Sequence, residues 1–263
     1  MPPRVGIIGL HQAEFQEVKA QLFGPVIWHE MLPKIRVEGK TLWMERTNRN
    51  GFLPVDHVVY HGIYQDDLDF LSALALWGGS CYPNPYAMMN ARLKLPCLVR
   101  ALRHTHFPIL TRGYASEGVS LNNPGEWVAK WGNWHCGENK ERFTQSYAVQ
   151  QPSIIEPFID GEAIRVIAIG ERYWQIHMDG ENWLKSIHSP KAGFMPINKD
   201  LLDDTLRIRQ GMELDLIAND YLVDSQGQAY LLEVNHIPNV TQFPELWEAF
   251  RDHVVEWLGR QPA

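Results

Sequence analysis

Apolar positions along the chain switch between two spacings. Val5–Ile8 forms a short strand-length run with Gly6 inside it, and Phe15, Val18 and Leu22 then recur at helical spacing. Residues 55–60 predict a second strand, and Leu68, Leu71, Leu74 and Ala75 mark one side of a second helix. Strand, helix, strand, helix predicts a small parallel α/β unit that closes at Pro83-Asn84-Pro85. Beyond it the spacing predicts a helix over 86–93 and another, with Pro96 in its first turn, reaching about His104. Strands are expected around Ile109 and over 127–131, 154–158, 164–169 and 173–178, the last two joined at Gly170-Glu171. A helix over 201–212, strands over 214–223 and 229–234, and a final helix carrying Leu246, Phe250, Val254 and Trp257 complete the order.

A length of 263 residues allows a sizeable core in one large domain or two modest ones. The balance of 24 basic against 31 acidic residues, a net charge of −7, argues against a nucleic-acid partner held by phosphate contacts. Cys81, Cys97 and Cys136 are widely spaced, which points to reduced thiols rather than a disulfide framework. The apolar run after Met1 is too short for a signal segment, and no stretch approaches the roughly 18–20 apolar residues that span a bilayer. The expectation is therefore a cytoplasmic protein without a membrane partner.

Candidate chemistry concentrates near the C-terminus. Asp220 lies in an apolar strand segment, and Glu233 follows Leu231-Leu232; carboxylates are out of place in such runs. Glu233 and Asn235 are two apart and share a strand face. If Ser225-Gln226-Gly227-Gln228 turns the chain, Asp220 falls opposite Glu233, with Cβ atoms about 4.5–5.5 Å apart. Two facing carboxylates repel unless a cation or proton separates them. Oxygen ligands without Cys or His favour a hard ion, Mg²⁺ or Mn²⁺.

Leu232-Glu233-Val234-Asn235, preceded by the Asp220 strand, resembles the metal-binding end of ATP-grasp ligases, closest to the ribosomal-protein glutamate ligase branch. The likeness extends upstream in order. Asn84-Pro85 and Arg92-Leu93-Lys94-Leu95 are similar to an Asn-Ser-Pro segment and its following Lys-Leu; Trp127-Val128-Ala129-Lys130 resembles the strand ending in a second lysine. Glu156-Pro157-Phe158-Ile159 resembles the hinge that meets adenine, and Ile164-Arg165-Val166 the segment supplying an arginine to the phosphates.

The resemblance implies a small parallel α/β domain over 1–84, followed over 85–263 by two α+β lobes clamping ATP, the small lobe at about 105–157 and the large lobe at about 158–263 with the helices of 85–104. It implies ATP and Mg²⁺ (or Mn²⁺) as cofactors, metal ligation by Asp220, Glu233 and Asn235, and nucleotide contacts from Lys94, Lys130, Glu156, Pro157, Phe158, Ile159 and Arg165. Lys130 and Arg165 are the expected catalytic pair. The implied reaction joins a small-molecule or peptide carboxylate to an amine or thiol through an acylphosphate, and a homo-oligomer is compatible with it. The rivals are a kinase acting on a hydroxyl and an ATP-binding protein of weakened activity.

Departures are specific. The family's ribose-holding aspartate is replaced by Ala163, and Glu162 is the expected substitute if the chain bulges there. The loop after Lys130, usually Gly- and Ser-rich, is Trp131-Gly132-Asn133-Trp134-His135-Cys136-Gly137. Lys185, His188 and Lys191 are candidates for gripping an anionic substrate, while His104-Thr105-His106 reads as surface.

Overall fold

The computed structural model describes residues 2–65, 67–120, 125–132, 139–148, 151–180 and 183–262. Val5–Ile8 is a central strand, parallel to Val26–His29 on one side and His57–Tyr60 on the other; Ser80–Tyr82 extends the sheet. Val5–Ile8 and His57–Tyr60 are buried at every position, as expected of a parallel sheet covered on both faces. Helices Gln12–Lys19 and Leu68–Trp77 follow their strands, burying Phe15 and Val18, and Leu71, Leu74, Ala75 and Trp77.

The expected strand over 55–60 is two strands. Phe52–Val55 belongs to an antiparallel meander with Ile35–Glu38 and Thr41–Glu45, whereas His57–Tyr60 joins the parallel sheet. Asp56 divides them: its carboxylate accepts from the Arg4 amide at 2.7 Å, and its own amide donates to the Arg4 carbonyl at 2.9 Å.

Asn84 then caps helix Pro85–Ala91, accepting from the Tyr86 amide at 2.9 Å. Helix Lys94–Ala101 follows. An antiparallel sheet comes next, ordered Lys140–Phe143, Trp127–Trp131, Ser153–Pro157, Gly113–Ala115. The strand expected around Ile109 does not form; Gly113–Ala115 takes the edge instead.

The largest sheet is antiparallel throughout, ordered Gly193–Met195, Arg172–Met178, Gly161–Ile169, Leu216–Asp224, Ala229–Asn235. Its lower face packs on helices Lys94–Ala101 and Lys199–Gly211 through Ile164, Val166, Ile217, Tyr221, Leu231 and Val234. Asp204, fully buried beneath it, accepts from Thr105 Oγ1, the His106 amide and the Tyr221 hydroxyl at 2.7–3.0 Å. At one end of the upper face, Ile167, Ile169, Leu216 and Ala218 share a core with helix Pro244–Gly259 and with Ile7 and Val59 of the parallel sheet. The other end of that face stays open, and the polar residues gather there.

Candidate functional site

Strand periodicity selects what the open face presents. Arg165 pairs with Asp220 and Ala163 with Leu222 across one ladder, and Asp220 pairs with Glu233 across the next. The Asp220–Glu233 pairing is the one expected from the turn, yet it arises through a bulge. Near the turn Val223 pairs with Ala229 and Tyr221 with Leu231; the register then shifts by one, leaving Leu232 as the extra residue. Leu231 and Val234 are therefore buried below while Leu232 and Glu233 both line the cavity above.

Each acid on this face meets a cation. Arg165 donates to Asp220 through Nε at 2.6 Å and Nη2 at 2.7 Å, a two-point contact of the strong kind. Lys94 Nζ lies 3.0 Å from Glu233. Lys94 opens its helix, where the macrodipole disfavours a cation by about 0.3–1 kcal/mol, and Glu233 offsets that. Glu156 is buried between Lys130, which it contacts closely, and Arg112 Nε at 2.7 Å. Burial pushes the Glu156 carboxyl upward, but Lys130 and Arg112 outweigh it and hold the group below the usual carboxylate range.

Two cavities meet at this patch. One, of about 380 Å³, runs between the two antiparallel sheets and is walled by Val128, Ala163, Leu222 and Leu232, together with Pro157, Phe158 and Ile159 at the hinge and with Lys94 and Lys130. The other, of about 620 Å³, opens toward the parallel sheet, between Arg165 and Asn235 on one side and Glu14 and His61 on the other. Lys140, Met178, Lys185, Asp220 and Glu233 line both. Burial holds His61 down to about 4, so its imidazole is neutral at pH 7.

Glu162, the expected substitute for the ribose-holding acid, stands apart from this patch. It lines neither cavity, is half exposed, and lies 3.8 Å from His177. Its ladder to Val223 is regular, so without a bulge alternation turns it away from Ala163 and Arg165. Asp160, next to the hinge residues, lines the smaller cavity. Asn235 is buried on the Glu233 side, and among the described residues its Nδ2 has no hydrogen-bond partner.

Lys185 lies at the junction, tied to Asp179 Oδ1 at 3.6 Å; His188 lines the larger cavity and contacts Gln242 at 2.9 Å, while Lys191 lines neither cavity. Residues 133–138, which include most of the altered loop, lie outside the described residues. Cys97 is buried and its thiol pushed up to about 12, which leaves it a packing residue.

Three site residues escape sequence reasoning. Lys140 is placed by register opposite Lys130 across an intervening loop. Arg112 reaches both Glu156 and the Leu231 carbonyl, joining the two sheets. Arg142 stacks on Phe158, 3.7 Å from its ring centroid. Alternation from Lys140 to Arg142 was readable; the register that places them was not.

No model of a known protein family matches the sequence, and no curated protein does. Solved structures do match, over nearly the whole length. D-alanyl-alanine synthetase A from Vibrio cholerae superposes with a TM-score of 0.67 at 15% identity, covering 98% of this chain and 97% of that one. A RiPP-associated ATP-grasp ligase from Chryseobacterium gregarium, in complex with ADP and a leader and core peptide, gives 0.66 at 14% identity, covering 99% and 98%. The macrocyclase MdnC from Microcystis aeruginosa, bound with precursor peptide MdnA, gives 0.63 at 13%, covering 98% and 100%. Among the described residues no helix is long and apolar enough to cross a membrane. From the parallel sheet at its start to the acidic hairpin near its end, the chain has the ATP-grasp fold.

Proposed function

We propose that the protein is an ATP- and Mg²⁺-dependent ligase that activates a carboxylate as an acylphosphate and transfers the acyl group to an amine or thiol. The observation that carries this reading is the meeting of two cavities at Asp220 and Glu233. A phosphotransfer that feeds a second substrate needs a donor site and an acceptor site sharing the transferred group.

ATP fits the smaller cavity with its base between Val128, Leu222 and Leu232, against the hinge. Pro157 has no N–H and the Phe158 amide already donates to the Glu126 carbonyl at 2.7 Å. Base recognition therefore falls to the Ile159 N–H and the hinge carbonyls. Lys94 and Lys130 then face the phosphates, with Glu156 and Arg112 holding Lys130 in place.

The donor set is all oxygen, which suits Mg²⁺: two carboxylates face each other across a ladder and the Asn235 amide is on the same side. Phosphate oxygens would complete the shell. The ion supplies charge neutralisation between the phosphates.

In the first step a carboxylate oxygen attacks the γ-phosphorus and the bond to ADP breaks. In the second, the amine attacks the acyl carbon, phosphate leaves, and the amine loses its proton. Arg165, on the larger-cavity side, stabilises charge on the acyl oxygen as it develops. The solved relatives include complexes with peptides, and a cavity of about 620 Å³ accommodates a peptide carboxylate. The buried thiols of Cys81 and Cys97 suit the reducing cytoplasm.

The test is ADP release across pools of carboxylates, peptides and amines, with mass analysis of products. A condensed product appearing with ADP supports the ligase. A hydroxyl compound that gains one phosphoryl group would replace it with a kinase.

A further inference from the structure

Lys140 has no part in the reading above. It opens the strand Lys140–Phe143 and pairs in register with Lys130. Like charges directly opposite on an antiparallel ladder destabilise it. Here the cost is raised by burial, which together with Lys130 and Lys94 presses the Lys140 ammonium toward its neutral form. The Trp183 ring lies 5.8 Å from Nζ and fixes where that charge sits.

The cations are ordered along the two cavities. Lys94 and Lys130 line only the smaller, and Arg165 only the larger. Lys140 and Lys185 line both, but Lys185 is tied to Asp179 Oδ1 at 3.6 Å and the Gly180 carbonyl at 3.4 Å. Lys140 shares both linings with Glu233 and Asp220, the two acids at the crossing.

We propose that Lys140 binds the γ-phosphoryl group of ATP at the crossing between the cavities and stays with it as it passes to the acceptor. This rests on the nucleotide reading of the smaller cavity. Charge on a transferring phosphoryl group spreads over its equatorial oxygens, and a cation that lines both cavities reaches those oxygens before and after transfer. Lys130 and Lys94, which line the smaller cavity and not the larger, meet phosphates that ADP also carries.

The experiment is calorimetric binding of Mg²⁺ with ADP and with a non-hydrolysable imido analogue of ATP. Lys140→Met should weaken analogue binding about 10-fold, or about 1.4 kcal/mol, and leave ADP within about 2-fold. Lys140→Arg should restore most of the loss, and Lys130→Met should weaken both nucleotides. The unliganded Lys140→Met protein should melt no lower than wild type, because removing the cross-strand repulsion relieves strain. Equal weakening of both nucleotides, or no change in either, overturns the assignment of Lys140. Failure of the wild-type protein to bind either nucleotide overturns instead the reading on which it rests.

Discussion

Arg165 and Asp220 sit directly opposite each other on neighbouring strands and share two hydrogen bonds, at 2.6 and 2.7 Å. The pair lines the larger cavity with both side chains mostly buried, so removal of either partner strands a mostly buried charge. Arg165→Met should therefore lower unfolding free energy by about 3 kcal/mol, and Asp220→Leu added to it should recover most of that loss. Urea denaturation of the two single variants and the double variant closes the cycle. Additive losses would show that the two side chains do not stabilise one another.

Glu156 makes stability depend on acid. Its native pKa is held below the usual carboxylate value by Lys130 and Arg112, so its contribution is fully present above about pH 4.5. It is lost as pH falls through the lowered native value, because the unfolded chain takes up the proton first. Glu156→Gln should reduce stability at neutral pH by about 3 kcal/mol, leaving Lys130 and Arg112 buried without their acid. The gap to wild type should narrow as pH falls below about 4.5. A gap that stays constant from neutral to acid pH would contradict the ionised state assigned to Glu156.

Much of this was legible because charge in an apolar strand is conspicuous. Asp220 and Glu233 stood out against their apolar neighbours, and a turn at residues 225–228 brought their strands together, although the turn's own register would set Asp220 opposite Leu232. The bulge at Leu232 was not legible, since nothing local marks an extra residue there; it makes the turn's register and the site's register differ by one. The meander was hidden by Trp43. In Thr41–Glu45 the buried side is Leu42 and Met44, while Trp43 lies on the other face, where Arg36 stacks 5.5 Å from its ring, so apolar character runs continuously and masks the alternation. Lys140 and Arg112 owe their roles to pairing and to lobe packing, which a single strand's sequence does not carry. Glu162 shows the reverse: strand alternation already pointed it away, and the regular ladder to Val223 keeps it there.

Metal dependence tests the acidic hairpin. Glu233→Gln keeps size and hydrogen bonding while removing one charge, and it loosens Lys94. In the presence of ATP, the Mg²⁺ concentration needed for half-maximal rise in melting temperature should increase about 10-fold. An Mg²⁺ titration indistinguishable from wild type would remove Glu233 from the metal site.

Phosphate grip is tested by Lys130→Ala, which should abolish most of the ATP-induced rise in melting temperature. The same substitution also strips Glu156 of one partner, so the unliganded melting temperature must be read alongside. A full ATP shift in the variant would move the phosphates away from Lys130.

Carboxylate activation is the central claim, and an acylphosphate is intercepted by hydroxylamine where a phosphoester is not. The protein should be incubated with ATP, Mg²⁺, hydroxylamine and a pool of amino acids and peptides, and hydroxamates measured by mass. The account predicts a hydroxamate that requires ATP and disappears in the Glu233→Gln and Arg165→Met proteins. ADP released with a stable phosphoester on a hydroxyl compound, and no hydroxamate from any carboxylate, would contradict it.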